Sequence, residues 1–455
     1  MSEPISSGWP EDLSAEWQRA FGFVEACVGG RIVRAEPHER WRPAWFLDLE
    51  RAGERVPIYF RGERGLADPG VYPLEHEMGV LQALEAAGIP VPHVYGFCED
   101  PRGIVMAWSP GRANLATAES EAERESVLDH YVEILADMHR LDTKPFERLG
   151  LYLPSSAEEL GLGDFPRWEK SYRERKNRPE PLIEFVIRWL RRNVPTGRSR
   201  PSFVAGDSGQ FLFDRGRVTA VLDLELSYLG DPLADLAGMR CRDLSEPLGD
   251  LPRGFRRYAE VMGEEVDVAA VQYHTVRFSV VTPLAVAHLV AKPPPGLNMA
   301  QYLGWNLVYG RGPLEIIAEL GGFELEAPKL PDPAAAGRNS AAFDSLVDLL
   351  EGGGTPKSRG YEMDTALRMA EYVRELDRRG DQLEAQDAEE LADLLGRRLE
   401  DWREADAALE ALILEAPPNR DAEIARYLYR RTLRGEALLR PALRELTDAK
   451  LQPVT

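Results

Sequence analysis

Cysteine is scarce. Cys27, Cys98 and Cys241 are the only three in 455 residues. They lie far apart and form no CxxC pair, which argues against a disulfide framework and fits a reducing compartment. Histidine is nearly as sparse, with seven residues and no two at helical i, i+3 or i, i+4 spacing, so a dedicated zinc site is not expected. No apolar run reaches the ~20 residues that cross a bilayer. The opening stretch, MSEPISSGWPEDLS, is polar and acidic where a secretory signal is basic and then apolar, and a cytoplasmic protein is the expectation. Positive charge is in deficit too. The 55 Lys and Arg face 76 Asp and Glu, a formal net charge of -21. Such a chain lacks the basic footprint that coats nucleic acid. Its acidity reads first as a charged, soluble surface, though it would also suit a cationic substrate.

What is present falls into three regions. Residues 1–109 read as short strands around one helix. WFLDLE and VPIYFRG are β-like runs joined by the polar turn RAGER. PLEHEMGVLQALEAAG is amphipathic, with Leu74, Met78, Leu81 and Leu84 at helical spacing and Gly88 as its stop. PVPHVYGFCED and GIVMAWSPG read as two further strands split at Asp100-Pro101. Residues 110–328 are mostly helical, as in ERESVLDHYVEILADMHRLD. One interruption, PSFVAGDSGQFLFDRGRVTAVLDLELSYLGDP, reads as three short strands with tight turns at GDSG and DRGR. The Pro/Ala-rich stretch APKLPDPAAAG reads as a linker. Residues 338–455 show only helical patterns, without a heptad long enough for a coiled coil.

The chemistry concentrates in Ala205–Ala237. FLF and RVTAVLD, joined at Arg215-Gly216, predict a hairpin that folds back and brings Asp223 near Asp207. Two carboxylates placed this way suit metal-assisted phosphoryl transfer. One accepts the proton of the attacking hydroxyl and the other holds the Mg²⁺ that bridges the phosphates. Taken alone, either aspartate could be an ordinary turn residue.

The stretch AGDSGQFLFDRGRVTAVLDLELSYLGDPLADLA resembles the core of the aminoglycoside phosphotransferase and choline kinase family, whose pattern is HGDxxxxN, a short hairpin, a strand ending in DxE, and GDPxxDLA. LADMHRLD is similar to that family's LAxLHxLD helix end. GIPVPHVYGFCEDPRGIVMAW is similar to the run leading to its hinge between lobes. The resemblance spans roughly residues 20–320. It implies an α+β, bilobal protein-kinase-like fold with a β-rich first lobe and a mainly helical second lobe, here followed by an all-α C-terminal region. It implies ATP and Mg²⁺ as cofactors and transfer of the γ-phosphate to a hydroxyl of a small molecule. Asp207 would be the catalytic base and Asp223 the main magnesium ligand, with Glu225 and Gln210 supporting a metal. Arg61 falls at the position of the phosphate-contacting Lys, and Glu77 at that of its pairing carboxylate. Met106, Trp108 and Gln210 join them in holding the nucleotide. Asp231 and Asp235 would brace the loop and cap the next helix, and His139 reads as a packed helix-end histidine.

The sequence departs from the pattern in places. Ala205 replaces its His, and Gln210 stands for its Asn in a loop two residues shorter. Arg61 replaces Lys, exchanging a point charge for a planar fork. No GxGxxG occurs. Gly29 and Gly30 stand in VGGRIVRAEPHERWRPAW, where Arg31, Arg40 and Arg42 are the candidates for phosphate. These departures keep a catalytically impaired nucleotide-binding scaffold as an alternative, and an aminoglycoside-type antibiotic kinase is another. Details of the motif, DSG…FLF and DxELxxLGDPxxDLA, are most similar to the acyl-CoA-linked branch of the family, which implies a hydroxyacyl-CoA-type acceptor. The basic run RWEKSYRERKNR, residues 167–178, could meet the phosphates of such a substrate, or be a solvated helix face with i,i+4 pairs. The expected partner is a small-molecule alcohol, not nucleic acid or membrane, with a protein partner or self-association through the helical C-terminal region.

Overall fold

The structure is a computed structural model that describes residues 9–10, 12–38, 42–64, 70–334, 337, 340–352 and 360–455. The chain begins with a helix absent from the sequence expectation, α1 (Ala15–Val28), capped by Ser14 and closed by Gly29 in the left-handed region. Three antiparallel strands follow, β1 (Arg31–Pro37), β2 (Ala44–Arg51) and β3 (Glu54–Gly62). The amphipathic segment forms α2 (Leu74–Ala86), and β4 (Val94–Glu99) and β5 (Arg102–Ala107) turn at Asp100-Pro101. The sheet order is β1-β2-β3-β5-β4. Its one face packs on α1 through Phe21, Val24, Leu47, Leu49, Ile58 and Phe60, which is why that helix is amphipathic although its strand neighbours dominate the local pattern.

The second lobe runs through α3 (Glu121–His139), α4 (Lys144–Arg148), α5 (Ala157–Leu162), α6 (Phe165–Arg175) and α7 (Pro181–Arg192). Ser120 and Ser156 each accept from the N–H three residues on, at Glu123 and Glu159, and so cap the starts of α3 and α5. The β interruption holds four strands rather than three: β6 (Ser202–Val204), β7 (Phe211–Asp214), β8 (Arg217–Val221) and β9 (Tyr228–Gly230). The last pairs antiparallel with β6, while β7 and β8 form the expected hairpin with Asp214 opposite Arg217. Both turn residues, Arg215 and Gly216, have positive φ, the two-residue turn whose twist matches paired strands. Helices α8 (Leu233–Arg242), α9 (Leu251–Met262), α10 (Val268–Ala291) and α11 (Met299–Gly321) complete the lobe.

One expectation is corrected here. By length and composition α10 is apolar enough to cross a membrane, but 72 % of its most apolar window is buried inside the protein. It is the central helix of the lobe, lying against α6, α7, α8 and α11, and apolar all round for that reason.

After an extended stretch come α12 (Ser340–Glu351), α13 (Tyr361–Leu395), α14 (Trp402–Glu415) and α15 (Asp421–Leu439). No strand occurs among the described residues of 338–455. Leu409, Ile413, Ile424 and Leu428 of α14 and α15 lie in one hydrophobic cluster with Ile183, Val186, Val280 and Leu314 of α7, α10 and α11. Residues beyond α15 return to the second lobe. Gln452 accepts from Arg240 and Leu251 and donates to Asp243 and Gly249. Val454 is buried in the cluster that also holds Ala205 and Phe211.

Candidate functional site

The site lies where the sheet's other face meets the β6–β9 segment. Directly opposed residues of an antiparallel pair share a face. Phe46, Tyr59 and Met106 are such a row across β2, β3 and β5, and Ala44, Arg61 and Ile104 are the next row on the same face. Arg61 therefore stands two residues, roughly 7 Å, along the strand from an aromatic surface. That surface is continuous: the Phe46 ring centroid is 4.6 Å from Trp108, 5.1 Å from Tyr59 and 4.7 Å from His38. Trp108 is 41 % exposed and Met106 nearly buried. An apolar, aromatic patch and a guanidinium thus share one sheet face.

Arg61 is the hub. Its Nε donates to Glu77 of α2 at 2.7 Å, and its Nη2 bonds Asp223 and lies 3.4 Å from Glu225. Glu77 is 2 % exposed. Burial pushes its carboxyl up and the Arg61 guanidinium opposes that rise. Asp223 follows β8 with φ 57 and ψ 52, the left-handed conformation that Asp tolerates better than most residues. Burial alone would raise its carboxyl, but Arg61, Arg42, Arg242 and Arg64 together hold it well below the usual carboxylate range. Glu225 receives Arg42 at 2.5 Å and also bonds Arg64.

The phosphate arginines need correction. Gly29 is the C-cap of α1, and Arg31 starts β1 opposite Glu50, six residues and roughly 20 Å from the β1–β2 connection. Neither belongs to the site. Arg42, which ends that connection, does. Arg40 lies outside the described residues. Arg64 was not anticipated; it follows a strand end, where an arginine carries no signal of its own.

Asp207 sits in the loop between β6 and β7. Its Oδ2 accepts from Gln210 Nε2 at 2.9 Å and bonds Arg242. Gln210 thus turns its amide nitrogen to the base. Burial pushes the Asp207 carboxyl up to about 6, with Arg242 opposing and the Asp223 charge adding to the rise. The loop backbone is fixed by α8. Asp235 accepts from the N–H groups of Ala205 and Gly206, each at 2.9 Å, and from His139 Nε2 at 3.0 Å, while His139 Nδ1 meets Tyr258 Oη at 2.7 Å. Gly238 allows the close approach: a Cβ there would lie 2.5 Å from Ser208 Oγ and 2.7 Å from Gly206 O. Asp235, Gly238 and Arg242 are spaced i, i+3, i+7, so one stripe of α8 faces the loop. Arg242 was not anticipated, because the stripe gains its meaning only once α8 is packed against the loop. Asp231 begins the same helix, accepting from Leu233 N at 3.0 Å and from Arg198 at 2.8 Å.

Asp223 and Glu225 both reach toward Arg61 Nη2, so their oxygens converge on one point that attracts a cation. Hard carboxylate oxygens are the donors Mg²⁺ prefers. Among the described residues no three His, Cys, Asp or Glu side chains form a metal site by themselves.

An open cleft adjoins the centre, lined by Arg42, Arg64, Tyr72, Trp168, Arg175, Glu225 and Leu284 among others. Most of the basic run 167–178 is neutralised. Arg173 and Lys176 bond Glu184, Lys176 also reaches Glu410 of α14 at 2.7 Å, and Arg178 pairs with Glu180. Arg175 is the member that lines the cleft.

The model of the phosphotransferase enzyme family APH matches residues 67–265. Acyl-CoA dehydrogenase family member 10 of Mus musculus is 29% identical over 217 residues, 44% of this chain and 19% of the mouse protein. Acyl-CoA dehydrogenase family member 11 of Rattus norvegicus is 30% identical over 210 residues, 43% of this chain and 26% of its own length. The chain thus spans about a fifth to a quarter of these curated relatives. A crystal structure of a Ralstonia eutropha protein assigned to the aminoglycoside phosphotransferases aligns over 67% of this chain and 98% of its own, with 20% identity and a TM-score of 0.51. That likeness shows the kinase-like fold. Residues 67–265, the stretch that matches the APH phosphotransferase enzyme family, hold Glu77, Asp207 and Asp223.

Proposed function

We propose that the protein is an ATP-dependent phosphotransferase that moves the γ-phosphate to a hydroxyl of a small molecule. The observation that carries this reading is that Asp207 and Asp223, which flank the open end of the β7–β8 hairpin, lie close enough for their charges to interact, beside the Arg61–Glu77 pair. The base row of Phe46, Tyr59 and Met106, with Trp108, would hold the purine, and Arg61, Arg42 and Arg64 the phosphates. Asp223 and Glu225 would hold Mg²⁺, which when bound neutralises phosphate charge. Asp207 takes the acceptor's proton as the acceptor oxygen bonds to phosphorus. The bond to the β-phosphate oxygen breaks, and that oxygen keeps the electron pair. Positioning and charge do most of the work.

Within this reading the acceptor is a hydroxyacyl-CoA-type metabolite. Two features support it: the kinship with acyl-CoA dehydrogenase family members 10 and 11, and Arg175 beside Arg42 and Arg64 in a cleft with an apolar wall of Trp168 and Leu284. A nucleotide-binding scaffold is the second reading. It draws on the direct pairing of Asp207, Asp223 and Glu225 with arginines. A screen for ADP release, with hydroxyacyl-CoAs and aminoglycosides side by side, separates the readings. Release with an acyl-CoA alcohol supports the first; Mg²⁺-ATP binding with no release from any alcohol supports the second.

A further inference from the structure

Among the described residues, Asp207 has an asymmetric set of partners. Oδ2 takes both Arg242 Nη2 and Gln210 Nε2. Oδ1 takes no donor among the described residues. A carboxylate with one oxygen fixed and the other open can accept a proton from one direction only.

Arg242 is held where it can impose that asymmetry. It ends α8, the helix whose Asp235 fixes the backbone N–H groups of Ala205 and Gly206, so loop and guanidinium share one rigid support. Its stem lies along the loop at Gly209, whose φ is +97 and where a Cβ would come within 3.3 Å of Arg242 Cγ. Arg242 Nη1 lies 4.0 Å from Glu246 Oε1 on its outer side, and its side chain is 17 % exposed. Gly209 N–H donates to Tyr131 Oη at 2.6 Å, which closes the loop from the opposite side.

We propose that Arg242 is a positioning residue for phosphoryl transfer: it pins Oδ2 of Asp207 so that Oδ1 faces the acceptor hydroxyl. The proposal rests on the phosphotransferase reading. A guanidinium suits the task because its planar fork fixes direction as well as charge.

The test uses the full-length protein with Arg242→Ala and Arg242→Lys. With an accepted alcohol, R242A is expected to lose about a hundredfold in kcat, as a misplaced base does, while the nucleotide KM stays within about twofold. R242K retains an intermediate rate, and added guanidinium ion restores part of the R242A rate. Equal losses in kcat and in 1/KM without rescue, or a kcat within about threefold of wild type, would overturn it. R242K, which keeps the charge but not the fork, keeps the test open should R242A fold poorly. A second readout needs no turnover. In ¹⁵N-arginine spectra of the wild type, the Arg242 Nη signals are expected to be separate because rotation is hindered, and to merge in Asp207→Asn. Merged signals in the wild type would overturn the inference. If the wild type phosphorylates no alcohol, the functional reading fails, and the spectra alone decide the contact.

Discussion

Asp207 carries the central chemical demand, because a base must be ionised to take a proton. Burial raises its carboxyl to about 6, so the rate should fall as pH drops through that value and the carboxyl protonates, with a plateau above it. A profile of kcat against pH checks this, and an acid limb near 4 would mean the carboxyl is better solvated than the structure shows. Asp207→Asn removes the base and should lower kcat by about 10²–10⁴-fold with nucleotide affinity retained. Asp207, Asp223, Arg61 and Glu77 were legible in the sequence because each sits in a local motif or at a strand or helix position that fixes its direction. Arg64 and Arg242 were not. Their roles exist only once β3 meets the Asp223 loop and α8 meets the Asp207 loop, contacts that no local spacing of charges announces.

At the scale of the element, α8 is the support of the site. Its 235, 238, 242 stripe fixes the backbone of the Asp207 loop and then the carboxylate. Asp235→Ala would leave two buried N–H groups and His139 without their acceptor. A loss of about 2–5 kcal/mol of stability is expected, measured as a lowered urea midpoint, together with a fall in kcat. Gly238→Ala adds one methyl that meets Ser208 Oγ and the Gly206 carbonyl, and should lower both stability and kcat, since the clash outweighs the gain in helix propensity. The turn at Arg215-Gly216 and the start of the amphipathic α2 were readable from residue type and period. The first helix and β9 were not: α1 precedes any motif, and a three-residue strand such as Tyr228–Gly230 is made by its partner β6, not by its own sequence.

For the whole molecule, the helical C-terminal residues are part of the scaffold that holds the second lobe. Leu409 is fully buried in the cluster shared with α7, α10 and α11. Leu409→Ala should cost about 2–5 kcal/mol. Because the cluster is continuous, the expected melting curve keeps one cooperative transition at a lower Tm; a separate early transition, with the rest of the second lobe unaffected, would contradict this. The sequence showed these helices but not where their apolar faces go, since an amphipathic stripe states that a partner exists without naming it. The same gap hid the role of α10, whose apolar surroundings are supplied by residues far along the chain.

The most direct test is transfer of labelled γ-phosphate from Mg²⁺-ATP to a panel of hydroxyl acceptors by the wild type, Asp207→Asn and Asp223→Asn. The account predicts a labelled phosphomonoester with the wild type. It predicts a loss of at least about a hundredfold for Asp207→Asn with ATP still bound, and loss of Mg²⁺-dependent ATP binding for Asp223→Asn. Mg²⁺-ATP bound by the wild type without transfer to any acceptor, or transfer that survives Asp207→Asn, would contradict it.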